Sequence, residues 1–177
     1  MLAALRHAGY TPASLAASGL RCVHVAGTKG KGSVSALVAS ILRQYRPPTI
    51  TGPVGLYTSP HLVSPRERIV LDGAPISRDK FTRYFYEVWD RFEGVEAGKP
   101  HYFRFLTILA FHTFSSEGVR DAVVECGIGG EYDATNVLAP EGTSAAVVTQ
   151  LGVDHERMLG GRGGRLRGIR RGCGRRG

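Results

Sequence analysis

Cysteine is scarce in this chain. The sequence has 177 residues and three cysteines, Cys22, Cys126 and Cys173, and no two of them form a C-x-x-C pair. A sparse, odd set of this kind argues against a disulfide framework and against a zinc site. We therefore expect a reducing environment, with two small buried thiols and a third thiol in the C-terminal segment.

Long apolar runs are also missing. No stretch reaches the roughly 18 apolar residues that a membrane-spanning helix needs, and the N-terminus has no continuous apolar core or clear cleavage site of a signal peptide. We therefore expect a cytoplasmic protein that does not contact a membrane. The arginines and serines near the N-terminus, with no acidic residue before the glycine-rich loop, leave a mitochondrial form open.

Acidic residues are absent from the C-terminal segment. Residues 160–177 hold 8 glycines and 7 arginines, and the whole chain has 23 basic and 15 acidic residues. Without this segment 23 − 7 = 16 basic residues face 15 acidic ones, so the net charge falls from +8 to +1. The chain thus divides into a nearly neutral domain, residues 1–159, and a Gly/Arg-rich tail, residues 160–177, of the biased composition typical of disorder.

Apolar periodicity in residues 1–159 predicts strands that alternate with helices. Short apolar stretches predict strands at 21–26, 54–57, 66–73, 121–126 and 145–151. Helical spacing predicts helices at 33–45, 78–92 (after a cap at Ser77) and 103–114, the last apolar nearly all round. In the first of these helices six apolar residues form one predicted continuous stripe: Val34, Leu37, Val38, Ile41, Leu42 and Tyr45. Continuously apolar strands between helices indicate an α/β fold with a mostly parallel sheet covered on both faces.

The stretch "VAGTKGKGS", residues 25–33, lies between a predicted strand and a predicted helix. The strict phosphate-loop pattern G-x-x-x-x-G-K-[ST] fails here, because Val25 stands at the first glycine and Gly32 at the Ser/Thr position. The dinucleotide pattern G-x-G-x-x-G fails as well, because Ser35 stands at its last glycine. Neither standard motif therefore describes the loop.

The physical requirements for holding a phosphate are nevertheless met. Glycines allow backbone N–H groups to turn inward, a helix N-terminus follows, and Lys31 is placed to reach the β- and γ-phosphates. We interpret Gly30, Lys31, Gly32 and Ser33 as an ATP-binding loop in which Lys31 is the catalytic cation. The alternative is a plain strand-to-helix turn with two incidental lysines.

Polar residues follow three of the predicted strands, where α/β sheets bind ligands. They are Ser59, Glu125 and His155. Mg²⁺ prefers oxygen ligands and takes one or two carboxylates together with phosphates, so Glu125 is the natural ligand, Ser59 a neutral one and His155 an unusual one. The alternatives are a loop serine and a capping or surface histidine, whereas an acid at the buried end of a strand needs a partner.

Seven motifs occur in a characteristic order: "HVAGTKGKGS", "GLYTSPHL", "RERI", "PIS", "YFRFLTILAFHTF", "DAVVECGIGGEYDATNV" and "LGVDH". Together they resemble the ATP-dependent amide ligases of the folylpolyglutamate synthase and dihydrofolate synthase group, within the Mur ligase family. The resemblance covers about residues 5 to 159. The forms "GTKGKGS" and "YFRFLT" look more like the folylpolyglutamate synthases.

This resemblance implies a truncated Mur ligase central domain, similar to phosphate-loop nucleotide hydrolases, that binds ATP and Mg²⁺, with a monovalent cation possible. It implies ligation of L-glutamate to the γ-carboxylate of a folate through an acyl phosphate, by a monomer whose partners are small molecules. Gly30, Lys31, Gly32 and Ser33 match the ATP site, and Ser59, Glu125 and His155 match magnesium ligands. Phe103, Tyr132 and Asp133 match segments that line the folate site, although Phe103 could equally pack in the core and Asp133 could equally be a turn residue.

The resemblance stops abruptly at the tail. In the family a lysine that becomes carbamylated and a whole C-terminal domain follow, whereas this chain has Arg167, which cannot take that role. We expect residues 160–177 to be a frameshift or mis-splicing product, and the chain as written to have little ligase activity. Three alternatives remain: a genuine RNA-binding Gly/Arg tail on a non-catalytic nucleotide-binding fragment, a dihydrofolate synthase, and, disfavoured by "YFRFLT" and "TSPHL", a cell-wall Mur ligase.

Overall fold

The structure, a computed structural model, describes residues 1–45, 49, 51–95, 98–128, 130 and 132–152. The helices within this part are α1 (Leu2–His7), α2 (Pro12–Ala17), α3 (Lys31–Gln44), α4 (Arg78–Asp90) and α5 (Tyr102–Ser116). The strands are β1 (Arg21–Ala26), β2 (Gly55–Tyr57), β3 (Ile69–Leu71), β4 (Ala74–Pro75), β5 (Asp121–Glu125) and β6 (Thr143–Val148). Two short 3-10 helices connect them, Pro65–Arg68 and Pro140–Gly142. None of the described helices has the length and apolar character to cross a bilayer.

The six strands form one sheet in the order β4-β3-β2-β5-β1-β6. Strands β2, β5, β1 and β6 run parallel to one another, and β3 and β4 add an antiparallel hairpin beside β2 at one edge. The prediction of an α/β fold with a mostly parallel sheet flanked by helices is confirmed. Because parallel strands end at the same edge, the loops that follow β1, β2 and β5 lie side by side.

The sheet is covered on both faces by different helices. Along β5, Ala122 and Val124 belong to the large core built on α4 and α5, whereas Val123 belongs to a smaller core under α3. This alternation is the pleat of a strand that is buried on both sides. As predicted from its apolar composition, α5 is buried nearly all round, and every residue from Phe105 to Phe114 is buried.

The predicted strand at 66–73 is wrong in its first half. Residues Pro65–Arg68 form a 3-10 helix, because Ser64 and Glu67 make a capping box that turns the chain before β3 begins. The predicted turn at Asp72 and Gly73 is present, with positive φ angles of 48° and 86°. Ser77 caps α4 as predicted, since its hydroxyl accepts a hydrogen bond from the amide of Lys80.

The predicted apolar stripe of α3 divides into two rows. Val34, Val38 and Leu42 pack on the sheet. The second row is exposed and consists of Leu37 (64% exposed), Ile41 (55%) and Tyr45 (82%). A single helix on a sheet buries only the row that points at the strands, so the neighbouring row has no cover within the described residues.

The prediction of a buried strand at 145–151 is also wrong. Strand β6 ends at Val148, and most of its residues are exposed. Within the described part of the chain it pairs only with β1, so it forms an edge of the sheet. The two thiols that we expected to be buried, Cys22 and Cys126, are buried, whereas Cys173, Arg167 and the tail 160–177 lie outside the described residues.

We predict that Gly55→Ala destabilises the fold by about 1–3 kcal/mol, the usual cost of overpacking a core. A β-carbon at Gly55 would lie 2.8 Å from Cε1 of Phe114, whose ring is fully buried and cannot move aside. Chemical denaturation of both proteins measures the difference. The matched control is a double-mutant cycle with Phe114→Leu, in which the double variant should lose less stability than the sum of the two single variants. Additive losses would contradict the packing argument.

Candidate functional site

The glycine-rich loop connects β1 to α3 at the carboxyl edge of the sheet. Gly27 and Gly30 have φ angles of 138° and 84°, a conformation that side chains with a β-carbon rarely adopt. Gly30 is the N-cap of α3, and its carbonyl accepts a hydrogen bond from Val34 N at 3.0 Å. The helix therefore begins at Lys31, two residues before the predicted start. Its first-turn amides, which have no partner inside the helix, and the positive end of its dipole face the loop.

The segment after β6 holds this loop from the other side. The amides of Thr28 and Lys29 donate to the carbonyl of Gln150 at 2.8 and 3.4 Å. The hydroxyl of Thr149 donates to the carbonyl of Lys29 at 2.8 Å, and its amide donates to Ala26 at 2.8 Å. Sequence reasoning missed these anchors, and the only signal was the polar pair Thr149-Gln150 directly after an apolar strand.

Glu125 ends β5 beside this loop, and its side chain is only 4% exposed. One carboxylate oxygen, Oε2, accepts a hydrogen bond from the amide of Ser59 at 2.9 Å. A β-carbon built on Gly32 would lie 3.8 Å from both carboxylate oxygens, so the acid faces the first turn of α3. The structure thus brings together three elements that the sequence predicted to form one site: the loop, Ser59 and Glu125.

Burial raises the pKa of Glu125 above its ordinary value of 4.5. The Ser59 amide and the positive charges of Lys31 and Arg68 act in the opposite direction but do not cancel the effect. The Lys31 ammonium lies 3.5 Å from the carbonyl of Thr28. A buried carboxylate whose charged form is disfavoured gains from any cation that binds beside it.

Arg68 is a nearby charged residue that sequence reasoning did not single out. Its side chain is 8% exposed, its Nε donates to Nδ1 of His61 at 2.9 Å, and its guanidinium lies 5.6 Å from the ring centre of Tyr102. The signal in the sequence was an arginine directly before a buried strand, in the quoted motif "RERI". A buried arginine needs partners, and here the imidazole and the aromatic ring supply them.

The three residues matched to a folate site lie in different surroundings. Phe103 is the second residue of α5, and its ring lies over Gly127, with its centre 6.3 Å from the ring centre of Tyr57. Tyr132 is 82% exposed. The carboxylate of Asp133 is buried and accepts hydrogen bonds from the amides of Ile128 at 2.7 Å and Thr135 at 2.9 Å, the pattern of a turn residue.

The third predicted metal ligand, His155, lies outside the described residues. Among the residues that are described, no three His, Cys, Asp or Glu side chains cluster as a metal cage would require. The donors at the carboxyl edge are oxygens of Glu125 and Ser59, next to unpaired helix amides and an ammonium group. Such a set suits an anion with several oxygens accompanied by a hard divalent cation, which keeps waters and takes few protein ligands.

No protein-family model matches the chain. A probable folylpolyglutamate synthase of Schizosaccharomyces pombe is 51% identical over 162 residues, which is 88% of this chain and 31% of the relative. Among solved structures, a folylpolyglutamate synthase complex with AMPPCP and folate has a TM-score of 0.74 at 31% identity, covering 91% of this chain and 39% of that one. A bifunctional folylpolyglutamate and dihydrofolate synthase with Mn, AMPPNP and L-glutamate bound has a TM-score of 0.68 at 27% identity, covering 86% and 34%.

The fold and the loop define the class: an α/β domain of the Mur ligase type with a glycine-rich loop between β1 and α3. Over most of its length the chain is similar to the N-terminal part of folylpolyglutamate synthases, of which it spans about 31% in the relative from Schizosaccharomyces pombe. The similarity includes the elements that carry the loop and Glu125.

We predict that Glu125→Gln raises the melting temperature of the ligand-free protein at neutral pH, or leaves it unchanged. The folded state holds the proton of this carboxyl more tightly than the unfolded state, so the stability that the group contributes falls as pH rises from 4.5 through the higher folded-state pKa. Thermal unfolding at several pH values measures the effect, and the advantage of the glutamine variant should grow over that window. A clear loss of stability in Glu125→Gln at neutral pH would contradict the analysis.

Proposed function

We propose that this chain is the nucleotide-binding part of an ATP-dependent ligase that adds L-glutamate to the γ-carboxylate of a folate. The observation that carries the proposal is the buried carboxylate of Glu125, held by the Ser59 amide beside the first turn of α3. The similarity to synthases whose solved structures contain nucleotide, metal, folate and glutamate supports it. The alternative of a dihydrofolate synthase has less support, since the relative from Schizosaccharomyces pombe is named a folylpolyglutamate synthase.

In this proposal the loop binds the phosphates of ATP. The amides of Gly30, Lys31, Gly32 and Ser33 would face the phosphate oxygens, and the Lys31 ammonium would neutralise charge on the transferred group. Phosphoryl transfer needs positioning and electrostatic stabilisation more than a protein nucleophile, and this loop offers both. Thr149 and Gln150 keep the loop open to a ligand by occupying its backbone groups on the far side.

Glu125 and Ser59 would hold the divalent cation, which we propose to be Mg²⁺. Their oxygens fit a hard cation. Burial raises the pKa of Glu125, so a cation bound beside it would favour the charged form of the carboxyl. The bound cation would draw charge from the phosphates during transfer. The described residues contribute the carboxylate of Glu125, which the Ser59 amide holds in place. His155 would complete the ligand set, as the sequence predicts.

The folate would lie on the Phe103, Tyr132 and Asp133 side of the same edge. Tyr132 has a largely exposed ring that can stack on a flat heterocycle. Phe103 would shape this side by packing on Gly127. Asp133 would shape it by fixing the turn that follows Glu125. Because the chain spans about 31% of the curated relative, we propose that ligation also requires regions of the longer relatives, and that the chain alone binds nucleotide without appreciable turnover.

We predict that Lys31→Met weakens binding of the magnesium complex of AMPPCP by about tenfold or more, the usual effect of removing a charged phosphate contact. Isothermal titration calorimetry on the 177-residue chain measures the affinity. The matched control is Lys29→Met, because Lys29 lies in the same loop but outside the first turn of α3, and its amide, which anchors the loop, is unchanged. We expect this control to bind within about twofold of the wild type. Equal losses in both variants would indicate general charge attraction, and no binding by the wild type would contradict the proposed function.

A further inference from the structure

A buried polar chain lies beneath the site, and the proposed function gives no role to two of its members, His24 and Thr135. His24, in the middle of β1, is only 3% exposed. Its Nε2 lies 2.8 Å from the hydroxyl of Thr135 and 3.0 Å from the sulfur of Cys126. Thr135 is fully buried, and the two residues are 111 positions apart in sequence. The histidine therefore joins the strand that leads into the glycine-rich loop to the segment that follows β5.

The hydrogen-bond directions in this chain follow from its geometry. The Thr135 hydroxyl lies 2.6 Å from Oδ1 of Asp133, a carboxylate that can only accept, so the hydroxyl donates its proton there. The same hydroxyl must then accept from Nε2 of His24. This requires a proton on Nε2 of His24. Burial lowers the pKa of His24, against the pull of the Asp133 charge, and so favours the neutral ring.

Asp133 connects this hydrogen-bonded chain to the turn after Glu125. Its Oδ1 also accepts from the amide of Thr135 at 2.9 Å, and its Oδ2 accepts from the amide of Ile128 at 2.7 Å. Ile128 stands three residues after Glu125, in the glycine-rich turn. The path thus runs from His24 through Thr135 and Asp133 to Ile128. It links β1 to the turn between Glu125, the proposed cation ligand, and the proposed folate residues.

We propose that His24 is a positioning residue that, through Thr135 and Asp133, fixes the turn after β5 and the exposed Tyr132 next to it for folate binding. This inference rests on the proposed function for the identity of the ligand. The nucleotide loop has separate anchors in Thr149 and Gln150. The two halves of the site should therefore respond separately to substitution, which a general loss of stability would not produce.

The first test concerns the chain of hydrogen bonds itself. Nitrogen-15 NMR of the wild-type ring should show His24 as the neutral tautomer protonated at Nε2 near neutral pH. Thr135→Val removes the hydroxyl at nearly constant shape, and Thr135→Ser keeps it. Hydrogen exchange of the Ile128 amide should be about tenfold faster in the valine variant than in the serine variant. A neutral ring protonated only at Nδ1, or equal exchange in the two variants, would overturn the inference, and the wild-type ring decides it even if the valine variant fails to fold.

The second test separates folate from nucleotide. Relative to Thr135→Ser, Thr135→Val should raise the Kd for folate about tenfold and leave the Kd for AMPPCP within about twofold. His24→Gln, which retains an N–H donor near the position of Nε2, should bind folate better than His24→Leu. The control Thr149→Val should weaken AMPPCP binding and leave Ile128 exchange unchanged.

The outcomes of the second test distinguish the two proposals. Equal folate affinity in the valine and serine variants, or parallel losses for both ligands, would overturn the positioning role. A wild type that binds neither AMPPCP nor folate would contradict the proposed function instead. In that case the ring tautomer and the Ile128 exchange alone decide whether the His24 path exists.

Discussion

A buried carboxylate beside the start of a helix is the constraint on which the rest of the site depends. Glu125 lies at the end of the central part of the sheet, where burial makes its negative charge costly. The fold tolerates it there because the Ser59 amide, Lys31 and Arg68 each offset part of that cost. A protein selected for stability alone would place an apolar residue at this position, which is the physical argument behind the cation site proposed for Glu125.

The parallel sheet explains why these residues meet although they are far apart in sequence. Strands β1, β2 and β5 are neighbours and end at one edge, so the loop at 27–30, Ser59 and Glu125 are delivered to the same place. The helix α3 then adds its N-terminal amides from above. Each contribution is local, one loop after one strand, and only the strand order turns them into a single site.

Much of this arrangement could be predicted from the sequence, because apolar periodicity and glycine placement are local signals. The strand before the loop, the cap at Ser77, the buried α5 and the positions of Ser59 and Glu125 all follow from such signals. The errors concern features that depend on neighbours. A row of apolar residues on α3 shows which side of the helix is apolar but not how much of that side the sheet can cover. An apolar strand such as β6 has the same sequence pattern whether it lies at an edge or in the centre of a sheet. The anchors Thr149 and Gln150 and the partners of Arg68 and His24 involve contacts across more than one element, which no local pattern encodes.

The position of β1 has a consequence for how the molecule is made. This strand carries the glycine-rich loop, yet its partners in the sheet come much later: Arg21 aligns with Asp121 and Cys22 with Thr143. During synthesis on the ribosome β1 emerges early and has no strand to join until about a hundred further residues have been added. Contacts between such distant segments also form slowly, because a long loop must close before they are gained. The candidate site at the carboxyl edge is thus among the last parts of the domain to take shape, and a nascent chain gains it only when β5 and β6 have been translated.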